Sequence, residues 1–207
     1  HAFLFSGTRG VGKTTTARIL ARVLNCEKGP IVDPCGLCTF CTEITEGNCI
    51  DVQEIDGASN NGVQEVRALI DNVQYATSAA RYKVYIIDEV HMLTTQAFNA
   101  LLRTLEEPPP HGKFIMCTTD IHKMPATIIS RCQRYDFNRI SSTIITERMK
   151  YILDEEKITY DNESLSAISL KADGSMRDAL SILDQVISFA GEKIEFENIT
   201  KVLGLIP

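Results

Sequence analysis

Three features of the sequence predict an α/β fold with a parallel sheet, followed by a small all-α domain. The first is a short apolar run, Ala2-Phe3-Leu4-Phe5-Ser6, that leads straight into a glycine-rich stretch and then a helical stripe. The second is repetition: apolar runs suited to buried strands alternate with stripes of helical spacing as far as Phe137. That alternation implies βαβ units and helices on both faces of the sheet. The third is a change of texture beyond about Ile140, where helical stripes follow one another with no strand pattern between them. The chain is therefore read as an α/β domain over 1–139 and a helical domain over 140–207, joined near Asn138–Ser141.

Taken in order, the first helix is expected from Thr15 to Leu24, because Ala17, Leu20, Ala21 and Leu24 share one face. An irregular excursion follows, marked by Gly29-Pro30 and Asp33-Pro34. Ile50 to Ile55 reads as the second strand, ending in the polar loop Asp56-Gly57-Ala58-Ser59-Asn60-Asn61-Gly62, and Val63, Val66, Leu69, Ile70 and Val73 keep helical spacing. Lys83 to Glu89 is an apolar strand ending in two acids. The stripe of Phe98, Leu101, Leu102 and Leu105 stops at Pro108-Pro109-Pro110, where backbone N–H groups run out. Strands are expected at Lys113–Thr118 and Arg134–Phe137, with a short helix begun after Pro125. In the second domain Ile145, Met149 and Ile152 form one stripe, Leu165, Ile168 and Leu170 another, and Leu180, Leu183, Val186 and Ile187 a third.

Gly7-Thr8-Arg9-Gly10-Val11-Gly12-Lys13-Thr14 fits the phosphate-loop pattern at every fixed position, with a strand before it and a helix after it. The glycines let backbone N–H groups turn inward, and the helix N-terminus adds partial positive charge where a phosphate sits. Lys13 is expected to reach the β- and γ-phosphates, and the Thr14 hydroxyl to hold Mg²⁺. Gly7, Thr8, Arg9, Gly10, Val11, Gly12, Lys13, Thr14 and Thr15 are the candidate nucleotide-binding residues. Asp88, following four residues of apolar strand, has the Walker B setting: a carboxylate at the sheet's C-terminal edge that holds Mg²⁺. Glu89 beside it is placed to orient and deprotonate the attacking water. Asp88-Glu89-Val90-His91 also spells the DExH box of helicases, a weak signal by itself.

Composition bounds the rest. A net charge of −6 argues against holding nucleic acid by bulk electrostatics, leaving room for local contacts through helix N-termini and a few cations. No apolar run approaches the length of a membrane span, and no signal-peptide pattern opens the chain. The lack of an initiator Met leads us to expect a fragment. Seven cysteines in a nucleotide-binding chain point to a reducing compartment and to metal binding. Cys26, Cys35, Cys38 and Cys41 are separated by eight, two and two residues, a spacing that suits a four-thiolate zinc site in a module over about 26–41. An iron–sulfur cluster is the rival, since Cys35, Cys38 and Cys41 match the first three ligands of the ferredoxin run. The positions for the fourth Cys and its Pro are Thr45 and Glu46, which favours one structural Zn²⁺ per chain. Cys49, Cys117 and Cys132 stand alone and read as core thiols.

Three further features complete the set: Thr118-Thr119-Asp120 at the end of a strand, Ser130-Arg131-Cys132 after a short helix, and Gly174-Ser175-Met176-Arg177 opening a helix of the second domain. With the phosphate loop, the four cysteines, Ile87-Asp88-Glu89-Val90-His91-Met92-Leu93 and Leu105-Glu106-Glu107-Pro108-Pro109, the chain resembles the AAA+ clamp-loader ATPases along essentially its whole length. The inserted cysteine module is similar to that of the bacterial branch. The resemblance implies a P-loop AAA+ sandwich with a zinc module and a helical lid, and an ATPase subunit of the replicative clamp loader within a DNA polymerase holoenzyme. It also implies that Thr119 is the sensor 1 residue, Arg177 a sensor 2 that reaches the γ-phosphate in its own subunit, and Arg131 an arginine finger acting on a neighbour's ATP. The implied partners are other subunits in a ring, the sliding clamp and primer-template DNA, with no membrane, in the bacterial cytoplasm beside the nucleoid. The family further carries a segment before the phosphate loop that shapes the adenine pocket, and a collar domain after the lid. A second reading, a DExH-type helicase, requires two RecA-like domains and a basic groove; a third is a zinc-dependent binding module with a dead ATPase.

Overall fold

The computed structural model describes residues 1–191, 193–197 and 199. They divide into two compact units, residues 1–7 with 13–137, and residues 8–12 with those from 138 onward. The first unit is built on five strands, β1 (Ala2–Gly7), β2 (Val52–Asp56), β3 (Lys83–Asp88), β4 (Gly112–Thr118) and β5 (Gln133–Phe137), all parallel in the order β2-β3-β4-β1-β5. The alternation of strand side chains decides which helices cover which face. Val84, Ile86, Ile115 and Phe5 point to one face, where helices α1 (Lys13–Asn25) and α2 (Thr39–Glu46) bury Ala17, Ala21 and Ile44 against them. Tyr85, Ile87, Phe114, Met116 and Leu4 point to the other, under α3 (Val63–Gln74), α4 (Thr95–Glu106) and α5 (Ala126–Ile129). With both faces covered, β3 and β4 are buried almost throughout, as a parallel sheet requires.

Strand order positions the functional edge. Because β4 lies between β1 and β3, with Ser6 level with Thr118 and Ile87 level with Met116, the C-terminal ends of these three strands emerge side by side. The other end of β3 is pinned by two buried charges, each held by backbone groups. Asp51 accepts the N–H groups of Ser78, Ala79 and Ala80 at 2.9–3.0 Å, and the Lys83 ammonium donates to Asn72 O at 2.9 Å at the end of α3.

The second unit packs α6 (Ser142–Glu155), α7 (Asn162–Lys171) and α8 (Met176–Ala190) around Ile145, Met149, Leu153, Leu165, Ile168, Leu183 and Val186. Each helix starts at a side-chain cap: Ser141, Asp161 and Ser175 accept the N–H three residues on.

Four expectations need correcting. The second unit is not all-α, since β6 (Thr159–Tyr160) and β7 (Lys193–Ile194) pair in parallel; strands of two residues are too short to show a period. Leu170 is 74% exposed and the α7 stripe continues through Ala172, because a residue two along from Ile168 lies across the helix from it. In α6 the fully buried position after Met149 is Leu153, one helical turn on, in place of Ile152. The cysteine excursion is not wholly irregular: α2 begins inside it and carries Cys41. Its sequence TFCTEITE holds three β-branched threonines, whose low helix propensity hides the element. Of the domain expected over 140–207, residues 192, 198 and 200–207 lie outside the described residues.

Candidate functional site

The site grows from the turn after β1. Gly7, Gly10 and Gly12 all take positive φ, 152°, 74° and 94°, so successive peptide groups reverse direction within a few residues. At Gly7 the reason for glycine is also steric: a Cβ there would sit 2.3 Å from Phe137 O on β5. Thr8, Arg9 and Thr15 are exposed, and Val11 is buried. Lys13, only 6% exposed, turns back toward β1 and donates from Nζ to Gly7 O at 2.9 Å. A buried ammonium at the end of β1 is a ready partner for an anion.

Next along α1, the Thr14 hydroxyl donates to Asp88 Oδ2 at 2.7 Å, linking residues 74 apart in the chain. The other oxygen of Asp88 accepts the N–H of Glu89 at 2.9 Å, and Asp88 O accepts the N–H of Gly57 at 2.8 Å. Gly57 is a position where only glycine fits, since a Cβ would stand 2.8 Å from Glu89 O. Glu89 is in the left-handed region, φ 44°, a conformation that costs an L-residue about 1–2 kcal/mol. With that backbone its carboxylate meets the end of β4: Oε2 accepts the Thr119 hydroxyl at 2.8 Å and lies 3.3 Å from His91 Nδ1. His91 Nδ1 is in turn 3.0 Å from Thr118 Oγ1.

The structure thus brings Lys13, Thr14, Asp88, Glu89 and Thr119 to one edge of the sheet in the first unit. Arg131 is bonded elsewhere, to Glu106 Oε1 at 2.5 Å, to Thr127 O at 2.7 Å and to Ser130 Oγ at 3.3 Å. Arg177 lies in the second unit, in the first turn of α8. There Met176 N donates to Gly10 O at 3.0 Å, Arg9 pairs with Asp178 at 2.8 Å, and a Cβ on Gly10 would come within 3.1 Å of Arg177 Cβ. His91, Thr118 and Glu106 stand in the sequence only as members of longer motifs, with no role of their own assigned to any of them.

The four module cysteines converge, their Sγ atoms all within 4.8 Å of one another. Cys26 and Cys41 are buried, and Cys35 and Cys38 half-buried. Two N–H groups are aimed at sulfurs, Cys35 N at Cys26 Sγ (3.5 Å) and Cys38 N at Cys35 Sγ (3.4 Å). N–H groups of Leu37 and Cys38 bring the Cys35 thiol down to about 6, while burial pushes Cys41 up to about 12.

Comparison with known proteins identifies the relatives of this chain. Residues 1–141 match a family described as "DNA polymerase III, delta subunit", and residues 144–192 one described as "DNA polymerase III clamp loader subunit, ATPase lid domain". The chain is 56% identical over 206 residues to DNA polymerase III subunit tau of Bacillus subtilis, covering 100% of this chain and 37% of that protein. It is 51% identical over 207 residues to the gamma subunit of Buchnera aphidicola from Acyrthosiphon pisum, covering 100% of this chain and 57% of that one. Identity to the Escherichia coli tau subunit is 48% over 206 residues, covering 100% of this chain and 32% of the relative. The chain therefore spans from about a third to just over half the length of these relatives. In fold it is similar to the Thermotoga maritima RuvB Holliday junction branch migration motor, with a TM-score of 0.70 at 16% identity, covering 99% of this chain and 61% of that one. Among the described residues no helix is long and apolar enough to cross a membrane.

Proposed function

We propose, since this chain belongs to the clamp-loader family of bacterial DNA polymerase III that includes its gamma and tau subunits, that it is an ATP-hydrolysing subunit of the replicative clamp loader. The observation that carries the reading is the Thr14–Asp88 hydrogen bond, with Lys13 and Glu89 on the same sheet edge. ATP phosphates would be cradled by the N–H groups of the glycine loop, and Lys13 would exchange Gly7 O for phosphate oxygens. Thr14 and Asp88, now bonded to each other, offer hard oxygen ligands of the kind Mg²⁺ takes. Bound there, Mg²⁺ neutralises charge building on the phosphates. Glu89 takes a proton from the attacking water as the new O–P bond forms. The bond from the γ-phosphorus to the ADP oxygen breaks, and ADP leaves with that electron pair. Thr119 reports the γ-phosphate to β4, and Arg177 couples the helical unit to it. Arg131 completes the site of a neighbouring subunit.

In this reading ATP binding orders a ring that opens the sliding clamp and grips primer-template DNA in the bacterial cytoplasm, and hydrolysis releases both. The test is ATP turnover by the full-length protein assembled with its partner subunits, with and without sliding clamp and primed DNA. Turnover stimulated by both together is expected. Duplex unwinding with no response to the clamp would instead support the helicase reading.

We assign the four-cysteine cluster to structural Zn²⁺. Zn–S bonds of about 2.3 Å in a tetrahedron hold sulfurs roughly 3.8 Å apart, which the clustered thiols can meet with small adjustments. Protein purified without added metal is expected to contain about one zinc per chain, as a closed four-thiolate site requires. Cys38→Ser is expected to lose the metal and local stability, leaving ATP turnover only partly impaired because the module is peripheral to the phosphate loop. Brown protein containing iron would overturn the assignment.

A further inference from the structure

The three groups that approach the Glu89 carboxylate all meet the same oxygen. Thr119 Oγ1 (2.8 Å), Thr119 N (3.4 Å) and His91 Nδ1 (3.3 Å) face Oε2, and among the described residues none of these contacts falls on Oε1. His91 is well placed to matter, since its side chain is 8% exposed and fixed in the short helical turn Val90–Met92. Its Nδ1 also lies 3.0 Å from Thr118 Oγ1, a hydroxyl that already accepts the N–H of Asp120 at 3.0 Å. The carboxylate partner favours a hydrogen on Nδ1. An ionised carboxylate only accepts, so Nδ1 facing Oε2 is attractive only when it carries the hydrogen. The Thr118 hydroxyl oxygen has a second lone pair and can share that same hydrogen.

We propose that His91 is a positioning residue for ATP hydrolysis. With its hydrogen on Nδ1 it holds Glu89 Oε2, together with Thr119, so that Oε1 is the oxygen turned to the attacking water. This deepens the reading of Glu89 as the base and rests on it. Thr118 and Thr119 are consecutive, so His91 and the sensor residue grip the carboxylate from the same end of β4. A carboxylate tied through one oxygen keeps the other in a fixed direction, and misplacing a reacting group by about 1 Å is enough to cost roughly 10²-fold in rate.

The test uses the full-length protein in its assembly, with Glu89→Gln as the reference. His91→Phe keeps ring bulk and removes the donor, and kcat is expected to fall roughly 10- to 100-fold with ATP affinity unchanged. His91→Asn places an amide N–H close to the Nδ1 position and is expected to restore most of the rate; His91→Gln extends its amide toward Nε2 and should not. Nitrogen NMR of ¹⁵N-histidine-labelled protein should show Nδ1 protonated. Should His91→Phe also lose nucleotide through misfolding, the Asn and Gln variants decide the matter. Equal rates in those two, or an Nε2–H tautomer, would overturn the proposal. Glu89→Gln inactive with His91→Phe at wild-type turnover would overturn only the positioning role. Glu89→Gln at wild-type turnover would overturn the base assignment and this proposal with it.

Discussion

Replacing Arg131 with Ala is expected to leave ATP binding by the isolated chain unchanged and to suppress turnover in the assembly. Arginine fingers supply roughly 10³–10⁵ in rate in well-studied phosphoryl-transfer systems, which sets the upper range for the loss. The local structure explains why the effect should appear only between subunits. The Arg131 guanidinium is one-third exposed, and it is anchored by Glu106 and Thr127 O within its own unit. An exposed ion pair of this kind adds little stability, so removing it should not unfold the chain. It does restrict the fork's orientation, and a guanidinium has five N–H donors, so part of it remains able to meet a phosphate. Mixing Arg131→Ala subunits with Lys13→Ala subunits tests the assignment. Interfaces pairing an intact Lys13 site with an intact Arg131 neighbour should recover turnover. No recovery in assemblies shown to be intact would overturn action in trans.

Glu89→Gln is expected to slow hydrolysis by roughly 10²–10⁴, the range for removing a general base, with ATP affinity within a fewfold of wild type. The substitution keeps size and an accepting oxygen, so the bond from the Thr119 hydroxyl survives while the basic lone pair is gone. Lys13→Ala should behave in the opposite way. It deletes a buried ammonium held at the end of β1, so the loss falls on binding itself. Equal loss of nucleotide in both variants would contradict the role given to Glu89.

How legible these features were in the sequence follows from how local each one is. The phosphate loop is contiguous, and its spacing encodes the φ angles the turn needs. The central strands were legible as well, because parallel strands covered on both faces are unbroken apolar runs. What escaped was short or non-local. Helix α2 is eight residues with three threonines, and β6 and β7 are two residues each. Leu170 went to the wrong face because apolar spacing alone does not fix helical phase when Ala172 can serve equally well. Within the site, the residue types at 88 and 89 announced acids on an edge. The bond from Thr119 to the Glu89 carboxylate, the contact of Thr118 with His91, and the tether from Glu106 to Arg131 depend on β4 lying beside β3 and on α4 lying beside α5. The partners of these contacts are 25 to 30 residues apart, so no short window of sequence holds both.

The central claim is that Lys13, Thr14, Asp88 and Glu89 form one hydrolytic site, and the nucleotide found on the protein tests it most directly. Full-length wild-type and Glu89→Gln assemblies would be loaded with ATP and Mg²⁺ in a single turnover, quenched, and their bound nucleotide separated. Wild type should yield ADP and phosphate, whereas Glu89→Gln should hold a comparable amount of nucleotide as intact ATP. Phosphate formed by Glu89→Gln at the wild-type rate would contradict the account.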